Sequence, residues 1–198
     1  EDDKSKETED WVTRQNKVTF EYLDKIPYRK LLKEKLTTLW NYEKYSIPVH
    51  EGYYYYFFKN DGLQKHSVMY RKNVKSGDEE VFFDPNTYSP DGTVPLMEHY
   101  FSKDGSMVAL AFSDGGSDWR KVMIMDCSYK TFVDSIFNVK FSEIAWKGNE
   151  GFYYSTYERD SIKSELSSKT QYHKLMYHKL GANQSADKFI FGGRQDAY

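Results

Sequence analysis

Few side chains in this sequence have the type and spacing to do chemistry, and each has a plainer structural reading. Gly115-Gly116-Ser117-Asp118-Trp119 has the outline of a nucleophile elbow, the strained strand-to-helix turn that lifts a serine hydroxyl clear of a sheet. Its fifth position is Trp where the motif needs Gly. Apolar runs on both sides predict two strands, so Ser117 is expected in a hairpin turn. The five histidines, His50, His66, His99, His173 and His178, show no HExxH or other ligand spacing. His173 and His178 are five apart, which puts them on opposite faces of a strand and argues against a shared metal. Glu79-Glu80 and the pair Glu158 and Asp160 lie beside turns and lysines and read as solvated charge. Asn183-Gln184-Ser185 fits a glycosylation acceptor, which is idle without a secretory signal. Cys127, the single cysteine, can make no intramolecular disulfide, and no CxxC accompanies it. It follows a strand and is expected to be a quiet, half-buried thiol. No catalytic residue, metal site or cofactor is expected in this chain.

The composition says what kind of scaffold surrounds those residues. With 39% hydrophobic and 29% charged residues over 198 positions, the chain reads as globular. Aromatic residues make up 18%, with 18 Tyr and 13 Phe, a bias that favours packed β surfaces. A formal net charge of -2 provides no electrostatic footprint for nucleic acid or an anionic membrane. No apolar run approaches membrane-spanning length, and the start of the chain is acidic where a signal peptide would be basic and then apolar. A cytoplasmic protein is expected. Glu1 in place of an initiator methionine suggests a piece of something longer.

Two amphipathic helices are expected first. In residues 8–26, Trp11, Val12, Val18, Tyr22, Leu23 and Ile26 recur at spacings of three and four, and in 28–40 Leu31, Leu32, Leu36, Leu39 and Trp40 repeat the pattern. Strands follow. Residues 51–59 carry an unbroken row of Tyr and Phe, 66–73 and 81–83 complete a first meander, and 99–102, 107–112 and 119–125 make a second, joined by Asp104-Gly105 and Gly115-Gly116 turns. The pattern recurs at 139–146, 152–157 and 172–180. Aligning Asp104-Gly105 with the turn ending at Gly151 gives a repeat of about 45 residues, the length of a four-stranded propeller blade. Two full blades and part of a third are expected. The serine-rich stretch 159–170 reads as a solvated surface loop or a gate, and the residues from Gly192 onward as an unfinished strand-to-turn connection.

Several long words in the sequence resemble one family. ETEDWVTRQNKVTFEYLDKIPYR, NYEKYSIP, FKNDGLQKHSVMY, FFDPNTYSPDGTVPL, FSKDG with GSDW, VKFSEIAW and YHKLGANQSAD are similar, in this order, to the N-terminal part of the prolyl oligopeptidase family of serine peptidases. The resemblance implies a mainly β fold with two N-terminal helices, an incomplete portion, about three blades, of a seven-bladed β-propeller. It divides the chain into 1–44, helices that would pack on an α/β-hydrolase domain of the same parent chain, and 45–198, the first propeller blades. It further implies a cytoplasmic, monomeric hydrolase that cuts short proline-containing peptides on the carboxyl side of proline, with the propeller excluding large substrates. The Ser/Asp/His triad would lie beyond this chain, leaving it inactive alone.

One substrate-binding residue carries over. Phe141 in VKFSEIAW matches a propeller phenylalanine that lines the apolar pocket for the residue two before the scissile-bond proline; its spacing alone favours a blade-core residue, and the resemblance reverses that reading. Glu143 departs from the family, where a small or thiol side chain is common, and stretch 159–170 matches a loop proposed to influence peptide entry. Two alternatives stand beside this reading: a non-catalytic propeller fragment that binds a partner through its open edge strands, and a basic-residue-specific oligopeptidase of the same architecture. The sequence following Tyr198 in the parent transcript is expected to carry G-x-S-x-G, and its absence there would overturn the peptidase reading.

Overall fold

The computed structural model describes residues 5–158 and 170–196. The chain divides into two compact units, one built from 5–43 with 61–63 and the other from the remaining described residues. In the first, α1 (Lys6–Leu23) begins at Ser5, whose hydroxyl accepts from the Thr8 N–H at 3.2 Å, with Glu7 and Glu9 in the first turn. A second helix, α2 (Arg29–Trp40), follows; neither helix contains a buried residue. Among the described residues no helix is long and apolar enough to cross a membrane.

The second unit is three antiparallel sheets. Blade 1 holds β1 (Lys44–Tyr45), β2 (Val49–Glu51), β3 (Tyr54–Asn60), β4 (Val68–Asn73) and β5 (Glu79–Phe83), with β1 and β2 both on β3; the short helix α3 (Pro85–Tyr88) follows β5. Blade 2 runs in the order β6 (Leu96–Phe101), β7 (Met107–Ser113), β8 (Trp119–Asp126), β9 (Thr131–Lys140). Blade 3 runs β10 (Ala145–Lys147), β11 (Gly151–Thr156), β12 (Lys174–Lys179), β13 (Lys188–Gly192). The mainly β expectation holds, and the third blade is more complete than the sequence suggested, since β13 closes it. Two strands were misread. Residues 131–140 form an outer strand that the sequence did not reveal, and 139–146 is split between β9 and β10 by a break at 141–144.

Strand alternation sorts the core into two layers. On β7, Val108, Leu110 and Phe112 face Tyr56, Met69, Phe82 and Phe83 of blade 1, while Ala109 and Ala111 face the opposite layer with Val122, Ile124, Ile136, Val139, Phe152 and Tyr154. Cys127 belongs to the first layer and is fully buried, not half-buried; burial pushes its thiol up to about 12.

Successive blades are also tied by polar links. Gly105, in the turn from β6 to β7, has φ +71°, and a Cβ there would sit 2.7 Å from Gly52 N in blade 1; only glycine fits that approach. Arg71, buried, donates to Cys127 O and, at 2.7 Å, to Glu80, which also takes Lys130 at 2.8 Å. Between blades 2 and 3, Asn149 donates to Asp104 at 2.6 Å, and Trp146 Nε1 to Tyr100 O at 2.9 Å. With two serine hydroxyls and the Ser106 N–H also donating, Asn149 first among them, Asp104 is held well below the usual carboxylate range.

The deepest link is centred on His178, 0% exposed. Its Nδ1 lies 2.6 Å from Asp187 Oδ1 and its Nε2 lies 3.1 Å from Asp134 Oδ2. Gly181 N–H donates to the same Asp134 oxygen at 2.6 Å, and Tyr154 O–H to Asp187 at 2.7 Å. Asp134 comes from β9 and His178 from β12, so the network spans two blades. Removing one member of a buried charged set costs about 3 kcal/mol or more. Asp134→Ala is expected to lower unfolding free energy by about that amount in urea titration, against under about 0.5 kcal/mol for the exposed Asp114→Ala. A loss below about 1 kcal/mol for Asp134→Ala would remove the network from the joint.

Candidate functional site

The break between β9 and β10 presents Phe141. The chain leaves the outer strand of blade 2 and must reach the inner strand of blade 3, and it turns at two left-handed residues, Asn138 (φ +58°) and Phe141 (φ +49°). Asparagine tolerates this region; phenylalanine does so rarely, and such strain persists only where flanking structure over-determines it. The flanks are fixed. Val139 and Ile144 are buried, and Ser142 Oγ accepts the Ser155 N–H of β11 at 2.7 Å while donating to Glu143 O at 2.6 Å.

Held this way, Phe141 is 59% exposed in this chain. Its ring meets Tyr157 edge-on at 6.2 Å, and Tyr157 stacks on His173 at 4.9 Å. On its other side stands Lys140, 6% exposed, with Nζ 5.0 Å from the Phe141 ring centroid, 5.1 Å from that of Trp119 and 3.0 Å from Thr170 Oγ1. Beside this aromatic group, Glu158 takes Arg194 Nε at 2.8 Å and Lys174 Nζ at 3.1 Å, which together hold its carboxyl below the ordinary glutamate value, Arg194 first. Arg194 also lies over the ring of Tyr172, 4.9 Å from its centroid. The arrangement offers an apolar wall rimmed by charge, suited to binding a side chain rather than to bond cleavage.

Of the remaining sequence candidates, His173 reaches this group through its stacking on Tyr157. Ser117 sits in the turn from β7 to β8, its hydroxyl accepting the Trp119 N–H at 3.1 Å and its carbonyl taking Ser113 Oγ at 2.7 Å. Glu143 is exposed, near Tyr100, whose hydroxyl is pushed up to about 12 by burial first and then by the Glu98 and Glu143 carboxylates. His173 and His178 are not neighbours in function: one stacks on an aromatic ring and the other is locked between aspartates. Among the described residues, no group of three or more His, Cys, Asp or Glu side chains is disposed to hold a metal. Of the stretch 159–170, expected as a solvated loop or a gate, residues 159–169 lie outside the described residues. Sequence reasoning missed Lys140 and Tyr157. The available signal was a lysine inside an apolar word, at a place where the register pairs it with Trp119.

Comparison with known proteins converges on one group. Residues 1–198 match the family described as prolyl oligopeptidase, N-terminal beta-propeller domain. Over 194 residues the chain is 48% identical to the prolyl endopeptidase of Elizabethkingia miricola, covering 98% of this chain and 27% of that protein. The prolyl endopeptidase of Elizabethkingia meningoseptica matches at the same identity and coverage. The chain thus spans 27% of the length of these curated relatives. A solved prolyl endopeptidase superposes with a TM-score of 0.87 at 28% identity, over 98% of this chain and 29% of that one. Galerina marginata prolyl oligopeptidase B, bound to a 35mer hydrolysis and macrocyclization substrate, superposes with a TM-score of 0.81 at 28% identity, over 96% and 30% of the two chains.

The left-handed backbone at Phe141 separates the ring from the strain beneath it. Both Phe141→Ala and Phe141→Gly remove the ring, but only glycine relieves the backbone. The glycine variant is expected to be more stable than the alanine variant by about 1 kcal/mol in denaturant midpoint comparisons, reversing the usual order. Equal stabilities would mean that the turn carries no strain.

Proposed function

The chain belongs to the prolyl oligopeptidase family, as part of its N-terminal β-propeller domain, and from that premise we propose that it serves a serine peptidase which hydrolyses short peptides on the carboxyl side of proline. The observation that carries the reading is 48% identity to prolyl endopeptidases across 98% of this chain. In this reading the Ser/Asp/His triad sits on an α/β-hydrolase domain of the same parent, where acyl transfer proceeds through an activated serine. The propeller acts as a size-excluding lid. The parent is read as cytoplasmic and monomeric.

Two features of the surface support a larger parent. Trp11, Val12, Leu31, Leu32, Leu36, Leu39 and Trp40 are all exposed on α1 and α2, although amphipathic helices owe most of their stability to an apolar partner. We assign that partner to the hydrolase domain, with 1–44 packed on it. Phe189, Ile190 and Phe191 of β13 are exposed as well. A propeller closes with four or more blades, so we assign their cover to the next of seven blades, with 45–198 supplying the first blades.

Phe141 is read as one wall of the pocket for the residue two before the proline. An aromatic wall removes apolar substrate surface from water at about 25 cal/mol per Å², and it binds ground state and transition state alike. The complete protein is expected to cleave a peptidyl-prolyl p-nitroanilide after proline and not after arginine. Phe141→Ala should raise KM about 5- to 30-fold for a substrate with Phe two before the proline, with kcat nearly unchanged. No cleavage by a well-folded protein would overturn the peptidase, and an unchanged KM would remove Phe141 from the pocket.

A further inference from the structure

The placement of Lys140 calls for an explanation beyond packing. It is 6% exposed, and burying an ammonium costs several kcal/mol unless something compensates. Among the described residues no carboxylate lies within ion-pair distance of it. What surrounds the ammonium instead is one hydroxyl, Thr170 Oγ1 at 3.0 Å, and two ring faces, Trp119 at 5.1 Å and Phe141 at 5.0 Å. An ammonium has three N–H donors, and a hydroxyl with two π faces gives it three acceptors. Cation–π contacts of this kind strengthen when they are shielded from water.

The two rings are not equivalent. Trp119 is buried and pairs with Lys140 across β8 and β9, so its indole is fixed by the sheet. Phe141 is 59% exposed and sits on a left-handed residue outside any strand. Besides Lys140, its ring meets the edge of Tyr157 at 6.2 Å. The fixed indole and the Thr170 hydroxyl therefore locate the ammonium, and the ammonium locates the Phe141 ring.

We propose that Lys140 is a positioning residue for substrate selection, holding the Phe141 ring in the one orientation that presents its outer face to an apolar side chain two before the scissile proline. This rests on the reading of Phe141 as a pocket wall. Lys140 itself touches no substrate. Its charge acts through the ring, so it affects only peptides that use the ring.

The test uses the complete protein and two probes, p-nitroanilides of Phe-Ala-Pro and Gly-Ala-Pro. Lys140→Met keeps the apolar stem and removes the charge. It is expected to raise KM for the Phe peptide about 5- to 10-fold while changing KM for the Gly peptide, and kcat for both, less than twofold. Lys140→Arg should restore most of the loss, because a guanidinium also stacks on aromatic faces. In Phe141→Ala, adding Lys140→Met should have no further effect on the Phe peptide. If Lys140→Met does not fold, the exposed Thr170→Val tests the same arrangement, with an expected two- to threefold rise confined to the Phe peptide.

Equal effects on both peptides, or additivity with Phe141→Ala, would overturn the proposal in favour of a structural lysine. A Phe141→Ala effect without a Lys140→Met effect would overturn it while leaving the pocket in place. No effect of Phe141→Ala on either peptide would overturn the pocket reading and this proposal with it.

Discussion

A small twisted sheet has two faces, and both must be covered for it to persist in water. In this chain that requirement falls on β7, the strand in which all but one residue is buried. Its large residues, Val108, Leu110 and Phe112, fill the space toward blade 1, and its alanines, Ala109 and Ala111, leave room on the other side for Phe152 and Tyr154 of blade 3. Interdigitation of large against small brings two sheets to packing distance. Exchanging the two sets would overfill one layer and leave voids in the other, each costing on the order of 1–3 kcal/mol per site.

Apolar packing sets the distance between blades but not their register, which falls to polar groups with fixed geometry. The Gly105 to Gly52 approach, the Arg71 bond to Cys127 O and the Asn149 to Asp104 pair act near the turns. The Asp134, His178, Asp187 and Tyr154 network acts within the blades, and Gln184 pairs with both backbone groups of Phe137 at 2.8 and 2.9 Å. That last contact lets a side-chain amide stand in for a neighbouring strand on β9. A buried network of this kind contributes most when complete, because each missing partner strands another group in low dielectric.

The turns were legible in the sequence because their chemistry is local. Asp104-Gly105 and Gly115-Gly116 need positive φ wherever they occur, so they marked the hairpins and through them the repeat. Phe141 was reached through its resemblance to a family, since its spacing alone favoured a core residue. β9 was hidden because Thr131, Phe132 and Val133 are exposed at its start and Asn138 bends it before Lys140, so no alternation survives. His178 and Lys140 were illegible for a different reason. Each has a partner far off in sequence, Asp134 at 44 positions from His178 and Thr170 at 30 from Lys140, and no short window contains both ends of either contact.

The strained turn at Phe141 links these levels. A bulky residue in the left-handed region relaxes unless both sides of the turn are anchored. One anchor, Val139, belongs to blade 2; the other, Ile144, precedes the inner strand of blade 3, and Ser142 is bonded to Ser155 on β11. The exposed ring therefore stands where two blades meet, and it keeps its backbone conformation only while they stay in register. The orientation of the aromatic wall follows from the interface between blades 2 and 3. A loosened joint would relax Asn138 and Phe141 together and move the ring off the Lys140 ammonium, so a change in blade packing would register at the site without any substitution there.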